Sequence, residues 1–150
     1  RWPQVWLGLV FSWAAPVGWV EMTWAFGTAG ALLYAGSICW VIGYDSIYAL
    51  QDREDDALVG IKSSARAMGP HVRAGVAGFY AVALILWAGA IWLARPAPLA
   101  LVALLPMAGH LGWQIATLKE EDGADPLAKF RSNRFAGLLM FAACVVVGAS

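Results

Sequence analysis

Long apolar runs alternate along this chain with short polar breaks. A trans-bilayer helix needs about 20 mainly apolar residues. On that measure the pattern predicts spans over Pro3–Val20, Trp24–Tyr44, Gly75–Leu93, Leu99–Leu118 and Phe135–Ala149. The last is short, with a possible earlier start near Ser132. Connections at Glu21–Thr23 and Ala94–Pro98 then fall on one side, and the polar segments 45–73 and 119–134 on the other. The expected architecture is all-α, a polytopic transmembrane helical bundle.

Composition strengthens this reading. Apolar residues make up 61% of the 150 residues and charged residues 13%, about half the roughly 25% of a soluble domain. The charges are also bunched. Only Glu21 is charged between residues 2 and 44, and only Arg95 between 74 and 118. A soluble core could not cover two such stretches. Lys62, Arg66 and Arg73 lie in one polar segment and Lys119, Lys129, Arg131 and Arg134 in the other. That asymmetry predicts a multi-pass protein with both segments cytoplasmic; the expected location is a bacterial inner (plasma) membrane. A formal net charge of zero gives no sign of nucleic-acid binding.

Smaller features fit the same frame. Trp2, Trp6, Trp19, Trp24 and Trp92 fall near predicted span ends, as in an interfacial belt. Pro16 and Pro106 are expected to kink the first and fourth spans. Gly27, Gly30 and Gly36, with Ala31 and Ala35, offer small surfaces for close helix packing. Cys39 and Cys144 read as small apolar residues. Pro126 is expected to bias Asp125 away from helical geometry within a hydrophilic turn. The first residues carry no signal-peptide pattern and suggest a piece of a longer chain.

The chemistry concentrates where the second span ends, in Y-D-S-I-Y-A-L-Q-D-R-E-D-D-A-L-V-G-I-K-S-S from Tyr44 to Ser64. If the helix continues, Asp45, Asp52 and Asp56 fall within roughly 40° of arc at about 100° per residue. Tyr48 lies beside them, Asp55 at the edge, and Glu54 faces away. Carboxylates gathered on one face repel one another. A divalent cation resolves the repulsion, and Mg²⁺ commonly bridges a few carboxylates to phosphate oxygens. Lys62 and Arg66, beyond a turn at Gly60, could donate to the same oxygens. Asp45 lies nearest the apolar region, and ionisable groups at such depth usually mark a functional route. A solvated acidic helix end, especially at Glu54 and Asp55, is the plainer alternative.

The run D-x-x-Y-A-x-x-D-R-x-D-D-x-x-x-G-I-K-S, from Asp45 to Ser63, resembles the second aspartate-rich signature of the UbiA-type intramembrane prenyltransferases. The likeness continues more loosely to F-R-S-N-R-F-A-G at Phe130–Gly137 and covers the C-terminal half of the usual family chain. It implies about five spans of a nine-span fold around a central cavity, completed by an N-terminal half. By that resemblance Asp52 and Asp56 hold Mg²⁺ and the diphosphate of a polyprenyl diphosphate, and Asp45 is the aspartate closing the preceding span. Arg53 and Lys62 match basic positions near the substrate headgroups, while Tyr48, Gly60 and Ser63 also match. The family's first signature, an Asn-Asp followed by further aspartates, does not occur in this sequence.

The implied reaction transfers a polyprenyl group to an aromatic acceptor, with 4-hydroxybenzoate of ubiquinone synthesis favoured by the form of the motif. Another quinone precursor or a porphyrin-related ring is the nearest alternative. A phosphatidyl-alcohol transferase would carry D-G-x-x-A-R, which is absent. A cation-transport element or a non-catalytic membrane fragment are readings from other classes. Tyr48 suits either a cation–π contact or packing. His110 and Gln114, one turn apart, suit a helix-to-helix hydrogen bond or a lining of the substrate cavity. His71 reads as a solvent-facing loop residue, Glu21 as an outer-surface one, and Asn133 and Arg134 as anchors of the last cytoplasmic turn.

Overall fold

The computed structural model of the chain describes residues 3–52, 58, 60 and 63–149. Among them, five helical stretches are long and apolar enough to cross a bilayer: Pro3–Thr23, Thr28–Tyr48, Ser64–Ala94, Pro98–Thr117 and Asp125–Gly148. The chain is therefore an all-α polytopic membrane bundle, as the hydrophobic pattern predicts. Large side chains such as Trp6, Leu99 and Phe141 stay exposed on its outside. In lipid such faces incur no hydrophobic penalty.

Both proline effects appear. The first span is divided into α1 (Pro3–Phe11) and α2 (Ala14–Thr23), with the break at Ser12–Trp13. Pro16 has no N–H to give the Ser12 carbonyl, which instead accepts from Ala15 N at 3.0 Å. The fourth span runs as α6 (Pro98–Leu101), a 3₁₀ turn at Val102–Leu104, and α7 (Leu105–Thr117). Its tightened turn lies just before Pro106, where the proline ring would crowd an α-helical carbonyl.

Several boundaries differ from expectation. The first connection lies at residues 24–27, because Trp24 adopts a left-handed conformation (φ 59°) and its N–H closes on the Val20 carbonyl. The second span, α3, therefore runs Thr28–Tyr48. The third is preceded by a short helix α4 (Ser64–Met68) and a 3₁₀ turn at Gly69–His71 before α5 (Val72–Ala94). The last helix, α8 (Asp125–Ala149), starts ten residues before Phe135. Asp125 is its first residue, and Pro126 sits in the first turn, where its missing N–H is not needed. Asp125 Oδ2 also accepts from Lys119 N at 2.8 Å, so the bias against helical geometry at Asp125 is overridden.

The core lies along α3 and α5, which make the most extensive helix pair. Trp87, Tyr80, Val76 and Ala83 of α5 are buried against it. Close approach depends on two glycines of α3. A Cβ on Gly36 would stand 2.6 Å from Trp87 Cδ1 and 3.1 Å from the Ala83 carbonyl, and one on Gly43 would meet Tyr80 Cε1 at 2.5 Å. Contacts across the loops confirm which ends lie together. Gln51 Nε2 donates to Gly123 O (2.7 Å), and Arg73 to Leu118 O, at the charged end. Arg95 reaches Val147 O (3.4 Å) at the other. The two cysteines behave as apolar residues, Cys39 packing on the core and Cys144 lying exposed.

Two stability predictions follow from this packing. Gly36→Ala should cost about 1–3 kcal/mol, because fully buried Trp87 has no room to yield. Gly18→Ala, with nothing within 4 Å of the added methyl, should be neutral. Detergent-micelle unfolding titrations would measure both. The second concerns Gln4, whose buried Oε1 accepts the Ser64 N–H at 3.0 Å. Gln4→Leu leaves that buried donor without a partner and should cost about 1–3 kcal/mol in the same assay.

Candidate functional site

The aspartate end of α3 is built by an aromatic stripe and a hydrogen-bonded exit turn. Trp40, Tyr44 and Tyr48 recur every fourth residue and so lie along one face. Trp40 meets Tyr44 edge-on at 5.2 Å between ring centroids. Phe130, from the first turns of α8, packs on Tyr44 at 5.6 Å and on Tyr48 at 4.8 Å. Asp45 projects from the same last turns and is half-buried. Among the described residues, no hydrogen bond or ion pair engages its carboxylate.

The helix then stops. Ala49 N still bonds Asp45 O (2.9 Å), but Leu50 N turns to Ile47 O and Gln51 N to Tyr48 O, closing i→i−3 turns. Asp52 lies in this turn region, exposed, and not on a continuation of α3. The helical arc expected for Asp45 and Asp52 therefore does not hold beyond Tyr48, and Asp56 lies outside the described residues. The i→i−3 bonds of Leu50 and Gln51 replace the α-helical pattern as the chain leaves the apolar region. Arg53, Glu54, Asp55, Asp56 and Lys62 lie outside the described residues. Gly60 is described and has φ 76°, a left-handed conformation suited to the expected turn. Arg66 is half-buried in α4.

Polar contacts fix this end from below. Ser46 Oγ and Ser64 Oγ are 2.6 Å apart, and both residues are fully buried, which ties α4 to α3. Trp40 Nε1 donates to Asn133 Oδ1 at 3.0 Å, so Asn133 does anchor the first turns of α8. Gln114 is fully buried; its Oε1 accepts from Tyr80 OH (2.6 Å), and its Nε2 donates to Ser132 Oγ (2.9 Å) and approaches His110 Nε2 (3.2 Å). The His110–Gln114 pair thus joins helices, one of its two expected uses. Lys129 pairs with Asp125 at 2.8 Å and lies over the Trp113 ring at 4.7 Å. Arg73 lies 3.8 Å from Glu120. His71, as expected, is exposed.

Sequence reasoning missed Phe130, Gln4 and the Tyr80–Gln114 bond. The fourfold spacing of Trp40, Tyr44 and Tyr48 was available as a signal. Nothing in the order of residues points to Gln4 beside Ser64, 60 positions away.

Oxygen donors alone, Asp45 and Asp52, supply the described carboxylates at the end of α3 and its exit turn. Such a set suits Mg²⁺ rather than a metal favouring nitrogen or sulfur. No group of three or more metal-ligating side chains occurs among the described residues. Mg²⁺ sites commonly use only one or two carboxylates together with substrate phosphates, so the set present fits.

The sequence profile described as the UbiA prenyltransferase family matches residues 1–147. Among similar curated proteins, the mitochondrial 4-hydroxybenzoate polyprenyltransferase of Arabidopsis thaliana is 37% identical over 150 residues, covering 99% of this chain and 37% of the relative. The corresponding protein of Mus musculus is 38% identical over 148 residues, covering 97% and 39%. The 4-hydroxybenzoate octaprenyltransferase of Shewanella sediminis is 33% identical over 141 residues, covering 94% and 49%. No solved structure matches significantly. The chain therefore spans 37% to 49% of the length of these three relatives. With nearly its whole length matched, the chain belongs to the UbiA prenyltransferase family.

Proposed function

We propose that the protein transfers a polyprenyl group from polyprenyl diphosphate to an aromatic acceptor, 4-hydroxybenzoate, as a step in ubiquinone synthesis. The observation that carries the reading is Asp45: a half-buried carboxylate at the last turn of a membrane helix, unengaged among the described residues and sharing that turn with Tyr44 and Tyr48, on which Phe130 packs. Family membership and the names of the relatives support the activity and the acceptor. The 150 residues act in this proposal as the C-terminal part of the prenyltransferase domain, with an N-terminal half completing the fold.

Asp45, Asp52 and Asp56 would hold Mg²⁺ beside the diphosphate. When bound, the cation neutralises negative charge on the departing diphosphate. Arg53, Lys62 and Arg66 donate hydrogen bonds to the same oxygens. The C–O bond of the allylic diphosphate breaks, the acceptor carbon beside the hydroxyl takes the prenyl carbon, and the ring then loses a proton. Tyr44, Tyr48 and Phe130 exclude water from the developing allylic cation and offer it aromatic faces. The isoprenoid tail stays among lipid chains. A bacterial plasma membrane with this end cytoplasmic belongs to the same proposal. The Lys/Arg asymmetry supports the orientation, and the Shewanella sediminis relative supports a bacterial setting, against the mitochondrial names of other relatives.

Transfer of a labelled prenyl chain to 4-hydroxybenzoate tests this, using membranes that contain the chain together with a co-expressed N-terminal half from a bacterial relative. Asp45→Ala and Asp52→Ala should each lower the rate by about 100-fold or more, the scale of losing one electrostatic contact to a reacting group. Glu21→Gln, at the far end, should leave it within about twofold. No product in the complemented membranes would contradict the assignment.

A further inference from the structure

The first turns of α8 carry Phe130, and two buried polar contacts hold those turns. From α3, Trp40 Nε1 donates to Asn133 Oδ1 of α8, and Asn133 Nδ2 donates to Lys129 O at 3.1 Å. Gln114 holds the same turns from α7. Its Nε2 reaches Ser132 Oγ at 2.9 Å and Lys129 O at 3.4 Å, while its Oε1 takes the Tyr80 hydroxyl of α5 at 2.6 Å. Ser132 in turn donates to Lys129 O at 2.7 Å. One side chain, fully buried, thus connects three spans at the level of residues 129–132. Phe130 lies between the two residues it grips.

A helix that slips by one residue advances about 1.5 Å and turns about 100°. That displacement would carry Phe130 off Tyr48 and Tyr44. Apolar packing resists such a slip poorly, because lipid-facing and core-facing surfaces of α8 are similarly hydrophobic. A directional bond to a buried amide resists it well.

We propose that Gln114 is a positioning residue: by bonding Tyr80 and Ser132 it sets the register of α8, so that Phe130 covers Tyr44 and Tyr48 beside Asp45. What the arrangement serves rests on the prenyl-transfer reading; the arrangement itself does not. The bond set explains why an amide occupies a fully buried position in a membrane span, where an apolar residue would pack at less cost. It also gives Tyr80 a role beyond filling the space left by Gly43.

The test reads register directly. Tyr48→Cys and Phe130→Cys, in a Cys39→Ser/Cys144→Ser background, are linked by a short bifunctional thiosulfonate in detergent. With Gln114 in place, linking should be rapid. In Tyr80→Phe/Gln114→Leu, which leaves no buried hydroxyl or amide stranded between them, it should fall at least about fivefold. Gln114→Glu, a neutral acid at that depth, keeps an acceptor for Tyr80 and should stay within about twofold. Helicity and gel filtration establish that each variant folds. If the double variant does not, Ser132→Ala, which removes the acceptor of the Gln114 amide together with the Ser132 bonds to Lys129 O and His110 Nε2, carries the same expectation.

In complemented membranes that retain Tyr48 and Phe130, the double variant should lower kcat by about tenfold, as misplacement of reacting groups does. KM for the prenyl diphosphate, held by charges at the helix end, should stay within about twofold. Unchanged linking in a folded double variant would overturn the proposal. A loss of linking in detergent, together with complemented membranes in which even the parent chain transfers no prenyl group, would uphold the positioning role and refute the proposed reaction.

Discussion

Lipid offers no partner to a buried polar group, and the organisation of this chain depends on how that constraint is met. Every backbone N–H and C=O within a span must be bonded internally, so the spanning segments are helices. Among the described residues most buried polar side chains obey the same rule, Ser12 Oγ and Ser63 Oγ being exceptions. Gln4 finds Ser64, Ser46 finds the other side of Ser64, Trp40 finds Asn133, and Tyr80 finds Gln114. These bonds cluster toward the charged end of the bundle. They bring the starts of α1, α4 and α8 against the end of α3 and so shape the place where Asp45 emerges. The opposite end is held mainly by apolar contact, with Arg95 reaching Val147.

Asp45 departs from the rule. It is half-buried, and no described side chain answers its carboxylate. Its neighbours are aromatic rings with no charge to offer: Tyr44 before it, Tyr48 one turn on, and Phe130 packed across both. The proposed function gives that carboxylate a cation as its partner. For the prenyl transfer proposed above, the leaving group and the carbocation need opposite surroundings, charged for one and aromatic for the other.

Much of this was legible in the order of residues, for physical reasons that can be named. Apolar runs interrupted by charge give the five spans, because length and hydropathy alone decide membrane crossing. The effects of Pro16 and Pro106 followed from the missing N–H. What escaped was local competition at helix ends. The end of α3 at Tyr48 reflects i→i−3 turns winning once the chain leaves the apolar region, which helical periodicity cannot see. The early start of α8 escaped because Lys129 and Asn133 read as polar loop residues. They are buried instead by an ion pair to Asp125 and by the Trp40 bond. Long-range partners such as Gln4 and Ser64 leave no trace in spacing. The aspartate motif itself was legible as chemistry, although Asp56, Arg53 and Lys62 lie outside the described residues.

The claim on which the account turns is that a phosphorylated lipid and Mg²⁺ meet at Asp45 and Asp52. Titration calorimetry on the complemented protein in detergent addresses it, with Mg²⁺ added in the absence and presence of geranyl S-thiolodiphosphate, which resists cleavage. The account predicts Mg²⁺ affinity at least about tenfold higher with the diphosphate, and no such gain once Asp45 is alanine. Equal, weak Mg²⁺ binding in both conditions would mark the helix end as a plain acidic surface and contradict it.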